Sequence, residues 1–87
     1  MKIEIEFYGQ TKDIFNSVVE ILHFNHSVNI TEIKAALLLQ VKKDYNLQDA
    51  ENLLHVCALA TASEILPSHF IVSKELKLAL LPPVSGG

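Results

Sequence analysis

The last six residues differ in composition from the rest of the chain, and they are Pro82, Pro83, Val84, Ser85, Gly86 and Gly87. Two prolines cannot donate to a sheet ladder, so we expect this stretch to leave the domain as an extended stalk. Two glycines lack a Cβ and therefore fit a channel too narrow for other residues. The carboxylate of Gly87 is thus the candidate reactive group, delivered by the stalk into another protein.

A Gly-Gly end is weak evidence when taken alone. Chain termini are often disordered, and glycine is common in them. The combination of the two glycines with the Pro82-Pro83 pair favours a functional tail at residues 82–87. An inert tail on an interaction domain is the alternative.

The other residues that could do chemistry are scattered along the chain. Cys57 lies in an apolar segment, where cysteine is usually a small buried hydrophobic residue and seldom a nucleophile. The histidines lack the spacing of metal ligands, and they are His23, His26, His55 and His69. There is also no glycine-rich phosphate loop. We therefore predict no metal and no cofactor bound by this chain, and any ATP chemistry must belong to a partner enzyme.

Charge and length exclude several classes of protein. The 87 residues suffice for one domain, and ten acidic side chains outweigh seven basic ones, all of them lysines. Nucleic-acid binding normally needs a basic face with arginine, so we expect no nucleic-acid partner. No apolar run approaches the roughly 20 residues needed to cross a bilayer, and no secretory signal follows Met1. We expect a cytoplasmic protein without a membrane partner.

Hydrophobic alternation predicts two strands at the start of the chain. Residues 2–8 alternate between apolar and polar side chains, which indicates a strand with one buried face. The β-branched stretch 17–23 reads as a second strand. We expect residues 9–16 to form the loop of this hairpin.

A capping box predicts where the main helix begins. Asn29 and Glu32 have the spacing at which each side chain reaches the other's backbone N–H. Apolar residues then recur at steps of three and four, at Ile30, Ile33, Leu37 and Val41. The pattern indicates an amphipathic helix that ends near Asp44.

The second half of the chain contributes further strands. Residues 53–60 are almost continuously apolar and are interpreted as a buried strand, whereas Pro67 limits residues 65–72 to a short edge strand or turn. Residues 76–81 alternate again and form the last strand. The order β-β-α-β-(β)-β predicts an α+β domain over residues 1–81, with a mixed β-grasp sheet packed on one main helix.

Tyr8 and Leu81 are the candidate partner-binding residues. In a β-grasp sheet the first and last strands are parallel neighbours, and the alternation places both side chains on the face opposite the helix. We expect them to form an exposed apolar patch beside the tail, although scattered surface hydrophobic residues are also common.

Two segments resemble a known family. The end of the chain, residues 80–87, resembles that of the small subunit of molybdopterin synthase, the MoaD family, and residues 5–10 resemble that family's first strand. The chain differs from the family at Cys57-Ala58, where a Val-Asn pair is usual, and at Glu75-Leu76, where a Gly-Asp turn is usual.

The resemblance implies a ubiquitin-like sulfur carrier. An adenylating activating enzyme would use ATP on the Gly87 carboxylate, and sulfur would replace the adenylate to leave a C-terminal thiocarboxylate. The tail would then enter the large subunit of molybdopterin synthase and give sulfur to a cyclic pyranopterin in molybdenum cofactor biosynthesis. The chain would be the non-catalytic subunit of a heterooligomer.

Two alternatives stay open. A different ubiquitin-like sulfur carrier or protein modifier, serving thiamine, cysteine or tRNA thiolation, would use the same terminus. A β-grasp interaction module would have an inert tail.

Overall fold

The computed structural model describes residues 1–41 and 47–83, and six strands and three helices lie within them. In chain order they are β1 (Lys2–Phe7), α1 (Gln10–Phe15), β2 (Val19–His23), β3 (Val28–Asn29), α2 (Ile30–Val41), α3 (Leu47–Val56), β4 (Ala58–Ala60), β5 (Ile71–Val72) and β6 (Leu76–Leu81). The expected helix end near Asp44 lies outside the described residues.

The main sheet is mixed and has the strand order β2-β1-β6-β4. β1 pairs antiparallel with β2 and parallel with β6, whereas β4 pairs antiparallel with β6. The first and last strands are therefore parallel neighbours at the centre of the sheet, as a β-grasp arrangement requires. The short strands β3 and β5 form a separate antiparallel pair.

The core lies between one face of this sheet and the helices. Ile3 and Ile5 of β1 and Leu80 of β6 are inaccessible to solvent, as are Ile33 and Leu37 of α2. Apolar burial of this kind contributes about 25 cal/mol per Å², which makes it the main stabilising term for a domain of this size. The α+β class, the β-grasp arrangement and the buried face of β1 are confirmed.

The predicted capping box is present at the start of α2. The Asn29 side-chain oxygen accepts from the Glu32 N–H at 2.8 Å, and the Asn29 N–H donates to Glu32 Oε1 at 2.9 Å. These bonds satisfy backbone groups that a helix start leaves without intrahelical partners. The four residues predicted for the apolar stripe are all buried, and they are Ile30, Ile33, Leu37 and Val41.

The prediction of a buried strand over residues 53–60 is wrong for most of its length. Residues up to Val56 belong to α3, and only Ala58–Ala60 form a strand. The buried residues Ala50, Leu54 and Cys57 recur at steps of four and three, which places them on one side of a helix. The sequence hides this spacing because apolar residues that are not buried, the half-exposed Leu53 and the exposed Val56, lie between the buried ones.

One further prediction is corrected. The expected loop over residues 9–16 contains the helix α1, whose Phe15 is buried and packs edge-on against Phe7, with ring centroids 6.0 Å apart. Its core contact stabilises a helix too short to form alone in water.

The prediction of a short edge strand or turn over residues 65–72 is confirmed. The strand is β5, which has two residues and pairs with β3.

A lysine of α2 holds the end of α3. Lys34 Nζ donates to the carbonyl oxygens of Cys57 at 2.6 Å and His55 at 3.2 Å. A cation at a helix C-terminus satisfies free carbonyls and complements the helix dipole. Burial lowers the pKa of this ammonium group, and interaction with Cys57 opposes that shift.

Within residues 1–41 and 47–83, no helix has the length and hydrophobicity needed to cross a membrane. The longest helix described, α2, has 12 residues.

We predict that Asn29→Ala lowers the free energy of unfolding by about 1 kcal/mol, because the α2 N-terminus loses its side-chain cap. Thermal unfolding of the variant measures the effect, and Asn25→Ala, at an exposed position, is the matched control. Equal melting temperatures for the two variants would contradict a stabilising role for the cap.

Candidate functional site

The parallel pairing of β1 and β6 brings two chain segments to one edge of the sheet. Phe7 is in register with Leu80, and the Tyr8 N–H donates to the Leu80 carbonyl at 3.1 Å. The chain leaves β6 through Pro82 and Pro83, so the base of the tail lies against the turn that follows β1. The remaining predicted tail residues, Val84, Ser85, Gly86 and Gly87, lie outside the described residues.

Gly9 is in direct contact with the base of the tail. Its φ is +57°, a region that side-chain-bearing residues rarely adopt. A Cβ built on Gly9 would lie 3.2 Å from Pro82 Cγ, a close approach that the proline ring would have to relieve by moving a few tenths of an ångström. The positive φ therefore favours glycine here, and the proline ring adds a smaller steric cost to any side chain.

Thr11 links the two segments from inside the domain. It is the one buried polar residue within residues 1–41 and 50–83, and its hydroxyl donates to the Tyr8 carbonyl at 2.5 Å. The same oxygen lies 3.5 Å from the Leu80 carbonyl, and the Thr11 N–H also donates to the Tyr8 carbonyl at 3.2 Å. One buried side chain thus touches the ends of both central strands.

The sheet face opposite the core, which we call the open face, carries the predicted partner-binding residues. On β1, just beyond it and on β6, it consists of Lys2, Glu4, Glu6, Tyr8, Lys77, Ala79 and Leu81. Because Phe7 and Leu80 are buried, the alternation directs Tyr8 and Leu81 to this face together. Tyr8 is 46% exposed, whereas Leu81 is half-buried, so the apolar patch is smaller than the sequence predicts.

Charged residues surround Tyr8 on the open face. Lys77 Nζ lies 3.4 Å from a Glu4 oxygen and 3.5 Å from a Glu6 oxygen, and the Tyr8 hydroxyl donates to Glu6 at 2.9 Å. The hydrogen bond to Glu6 raises the pKa of Tyr8, and the hydrogen bond to Glu4 raises the pKa of Lys77. The tyrosine hydroxyl is thereby directed toward Glu6.

Sequence reasoning did not single out the neighbours of Tyr8 and of Pro82. Strand alternation places Glu6 and Lys77 on the same face as Tyr8. The charged neighbours of Tyr8 could therefore have been predicted from the alternation of β1 and β6. The contact between Gly9 and Pro82 joins residues far apart in the chain, and no local pattern predicts it.

The surroundings of Cys57 indicate a structural role. It is 3% exposed and belongs to the core cluster that includes Leu54 and Leu59. Burial raises the pKa of its thiol, and the nearby Lys34 ammonium opposes the shift. A buried thiol with a raised pKa is a poor nucleophile at neutral pH.

A groove of about 330 Å³ lies between α2 and α3, and none of its lining residues belongs to the open face. Its polar groups include Glu51 and His55. In the parts of the chain that the structure describes, no group of three or more histidine, cysteine or acidic side chains is placed to hold a metal ion.

The chain has the ubiquitin-like β-grasp fold. The crystal structure of SAMP1 from Haloferax volcanii matches with a TM-score of 0.74 and 18% identity, over 100% of both chains. A putative molybdopterin converting factor, subunit 1, from Pyrococcus furiosus matches with a TM-score of 0.71 and 11% identity, over 97% of this chain and 99% of that one. No protein-family model and no curated protein matches the sequence. The resemblance seen at the two ends of the sequence is thus confirmed at the level of the fold.

We predict that a thiol-specific chromogenic reagent modifies Cys57 slowly in the native protein and rapidly after denaturation. Because the thiol pKa is raised, the native rate should still be increasing with pH above the range in which an ordinary cysteine is fully ionised. Fast native labelling at neutral pH would show that the thiol is accessible and reactive.

Proposed function

We propose that this chain is a ubiquitin-like sulfur carrier and that the carboxylate of Gly87 is the group that carries the sulfur. One observation supports the proposal above all: the central strand β6 continues through Pro82 and Pro83 into a sequence that ends in Gly-Gly. A rigid domain that holds one end of such a segment leaves the other end available to enter a partner.

The carbon of the Gly87 carboxylate is a poor electrophile, so the proposed reaction begins with its activation. The Gly87 carboxylate attacks the α-phosphorus of ATP in an activating enzyme, which releases pyrophosphate and leaves an acyl adenylate. A hydrosulfide equivalent then attacks the acyl carbon and displaces AMP, and the product is a thiocarboxylate. When the thiocarboxylate sulfur displaces an oxygen leaving group from an acceptor carbon and water then cleaves the acyl–sulfur bond, the sulfur stays on the acceptor and the Gly87 carboxylate is regenerated. ATP is thus consumed on the activating enzyme, and we assign no catalytic group to the carrier itself.

The acceptor we favour is a cyclic pyranopterin bound to a molybdopterin synthase large subunit. The sequence of residues 80–87 supports this acceptor, and so does the name of the Pyrococcus furiosus neighbour. In this proposal the open face binds the large subunit through Tyr8 and Leu81, and residues 82–87 extend into its active site. Sulfur carriage for thiamine, cysteine or tRNA thiolation is the alternative that shares the same chemistry.

We predict that deleting Gly87, or adding one residue after it, abolishes ATP–pyrophosphate exchange by the activating enzyme, because the reactive carboxylate is shortened or displaced. The melting temperature should not change, since the altered residue lies beyond β6. Ser85→Ala is the matched control, because it keeps the length of the tail and its carboxylate. Normal exchange by an extended chain whose mass proves that it was not trimmed would contradict the proposal.

We predict that Tyr8→Glu or Leu81→Glu weakens binding to the large subunit by about 2 kcal/mol or more, because a charge would be buried at an apolar interface centre. Titration calorimetry against the purified large subunit measures the loss. Leu39→Glu is the control, since Leu39 is 65% exposed on α2, away from the open face.

The melting temperature of each variant separates recognition from folding. Tyr8 is exposed, so Tyr8→Glu should leave stability unchanged. Equal affinities for Tyr8→Glu and Leu39→Glu would show that the open face is ordinary surface and that the tail alone is recognised.

A further inference from the structure

We propose that Gly9 and Thr11 are positioning residues that fix the direction in which the tail leaves the domain. We call Gly9, Thr11 and Pro82 the clasp. The inference rests on the proposed function, because a fixed exit direction matters only if the tail has to reach an active site in a partner.

On the surface of the domain, the clasp holds the tail by steric contact between Pro82 and Gly9. Pro82 lies over Gly9, and the space that a Cβ would need there is 3.2 Å from the ring carbon Cγ. Pro82 has no N–H, so it cannot extend the ladder between β1 and β6 and instead depends on this contact for its placement. A Cβ at residue 9 would displace the ring, and with it the start of the tail, by a few tenths of an ångström away from the turn.

On the domain side the clasp is held by hydrogen bonds. The Thr11 hydroxyl lies between the carbonyl oxygens of Tyr8 and Leu80, at 2.5 Å and 3.5 Å, and the side chain is 1% exposed. The Tyr8 N–H bonds to the same Leu80 carbonyl at 3.1 Å. Two residues before Pro82, the chain is therefore hydrogen-bonded to the end of β1, and Thr11 is bonded to that same end.

The helix α1 connects the clasp to the core. Phe15, at the other end of this helix, is buried and contacts the Phe7 ring edge-on. Thr11 and Phe15 are four residues apart and thus lie on the same side of the helix. A shift of the hydroxyl would therefore also move a residue of the core. The six-residue helix α1 thus positions Thr11 as well as connecting β1 to β2.

The clasp acts through the tail and should therefore affect turnover more than affinity. A carrier with a misdirected tail can still bind the activating enzyme through its folded domain, but its carboxylate reaches the reacting atoms less often. Misplacement of a reacting group by about 1 Å can cost up to about a hundredfold in rate. A residue that serves only stability would lower the amount of folded carrier without this separation of kcat from KM.

The test measures ATP–pyrophosphate exchange by the activating enzyme of the same organism, with the carrier concentration varied. Gly9→Ala should lower kcat about tenfold or more, while KM for the carrier stays within about twofold. In Gly9→Ala/Pro82→Ala the obstructing ring is gone, so kcat should be no lower than in Pro82→Ala alone. Equal losses from Gly9→Ala in both backgrounds would overturn the clasp, since backbone strain alone would explain them.

Thr11 provides a second pair of variants in case Gly9→Ala does not fold. Thr11→Val keeps the shape of the side chain and removes the hydroxyl, so kcat should fall, whereas Thr11→Ser keeps the hydroxyl and should restore it. Wild-type kcat in a folded Thr11→Val protein would also overturn the proposal.

Failure of the clasp and failure of the proposed function give different results. If the wild-type chain supports no exchange at all, the proposed function is wrong. If the wild type exchanges and the Gly9 and Thr11 variants match it, the clasp is wrong and the sulfur-carrier function stands. A nuclear Overhauser contact between the Gly9 Hα and the Pro82 ring tests the geometry without the enzyme, and its absence in the wild type would refute the clasp.

Discussion

The structure depends on the parallel pairing of its first and last strands. β1 and β6 lie side by side at the centre of the sheet, and α2 covers one face of both. Parallel strands end at the same edge, so the chain that leaves β6 must pass the turn that follows β1. The contact between Pro82 and Gly9 and the bonds of Thr11 follow from that constraint. If β1 and β6 were antiparallel, the tail would begin a full strand length away from Tyr8.

The two faces of the same strands have different tasks. The face that carries Ile5 and Leu80 is buried against the helices and supplies the stability of the domain. The open face carries a tyrosine among paired charges, and its exposed ion pairs with Lys77 contribute little to folding. Residues on the open face can therefore change with little cost in stability, which is the property expected of a recognition surface.

Sequence patterns predicted the elements whose signals are local. Alternation located β1 and β6, and the capping box located the start of α2 to within one residue. The apolar run ending at Ala60 was misassigned because composition hid the helical spacing of α3, and α1 was missed because its stability comes from the contact of Phe15 with Phe7, a residue outside the helix. In the candidate site, Tyr8 and Leu81 followed from strand alternation. The clasp did not, because its contacts join residues about 70 positions apart, a separation at which no periodicity operates.

If the carboxylate of Gly87 carries sulfur, the intact mass of the protein isolated from its own cells will show it. We expect two species, one with the mass of the 87-residue chain and one heavier by the exchange of a single oxygen for sulfur. Fragmentation should place the added mass on Gly87, and alkylation of the thiocarboxylate should shift only the heavier species. A chain that extends beyond Gly87, or one that never carries sulfur while the cells make the product of its pathway, would contradict a sulfur-carrier role for Gly87.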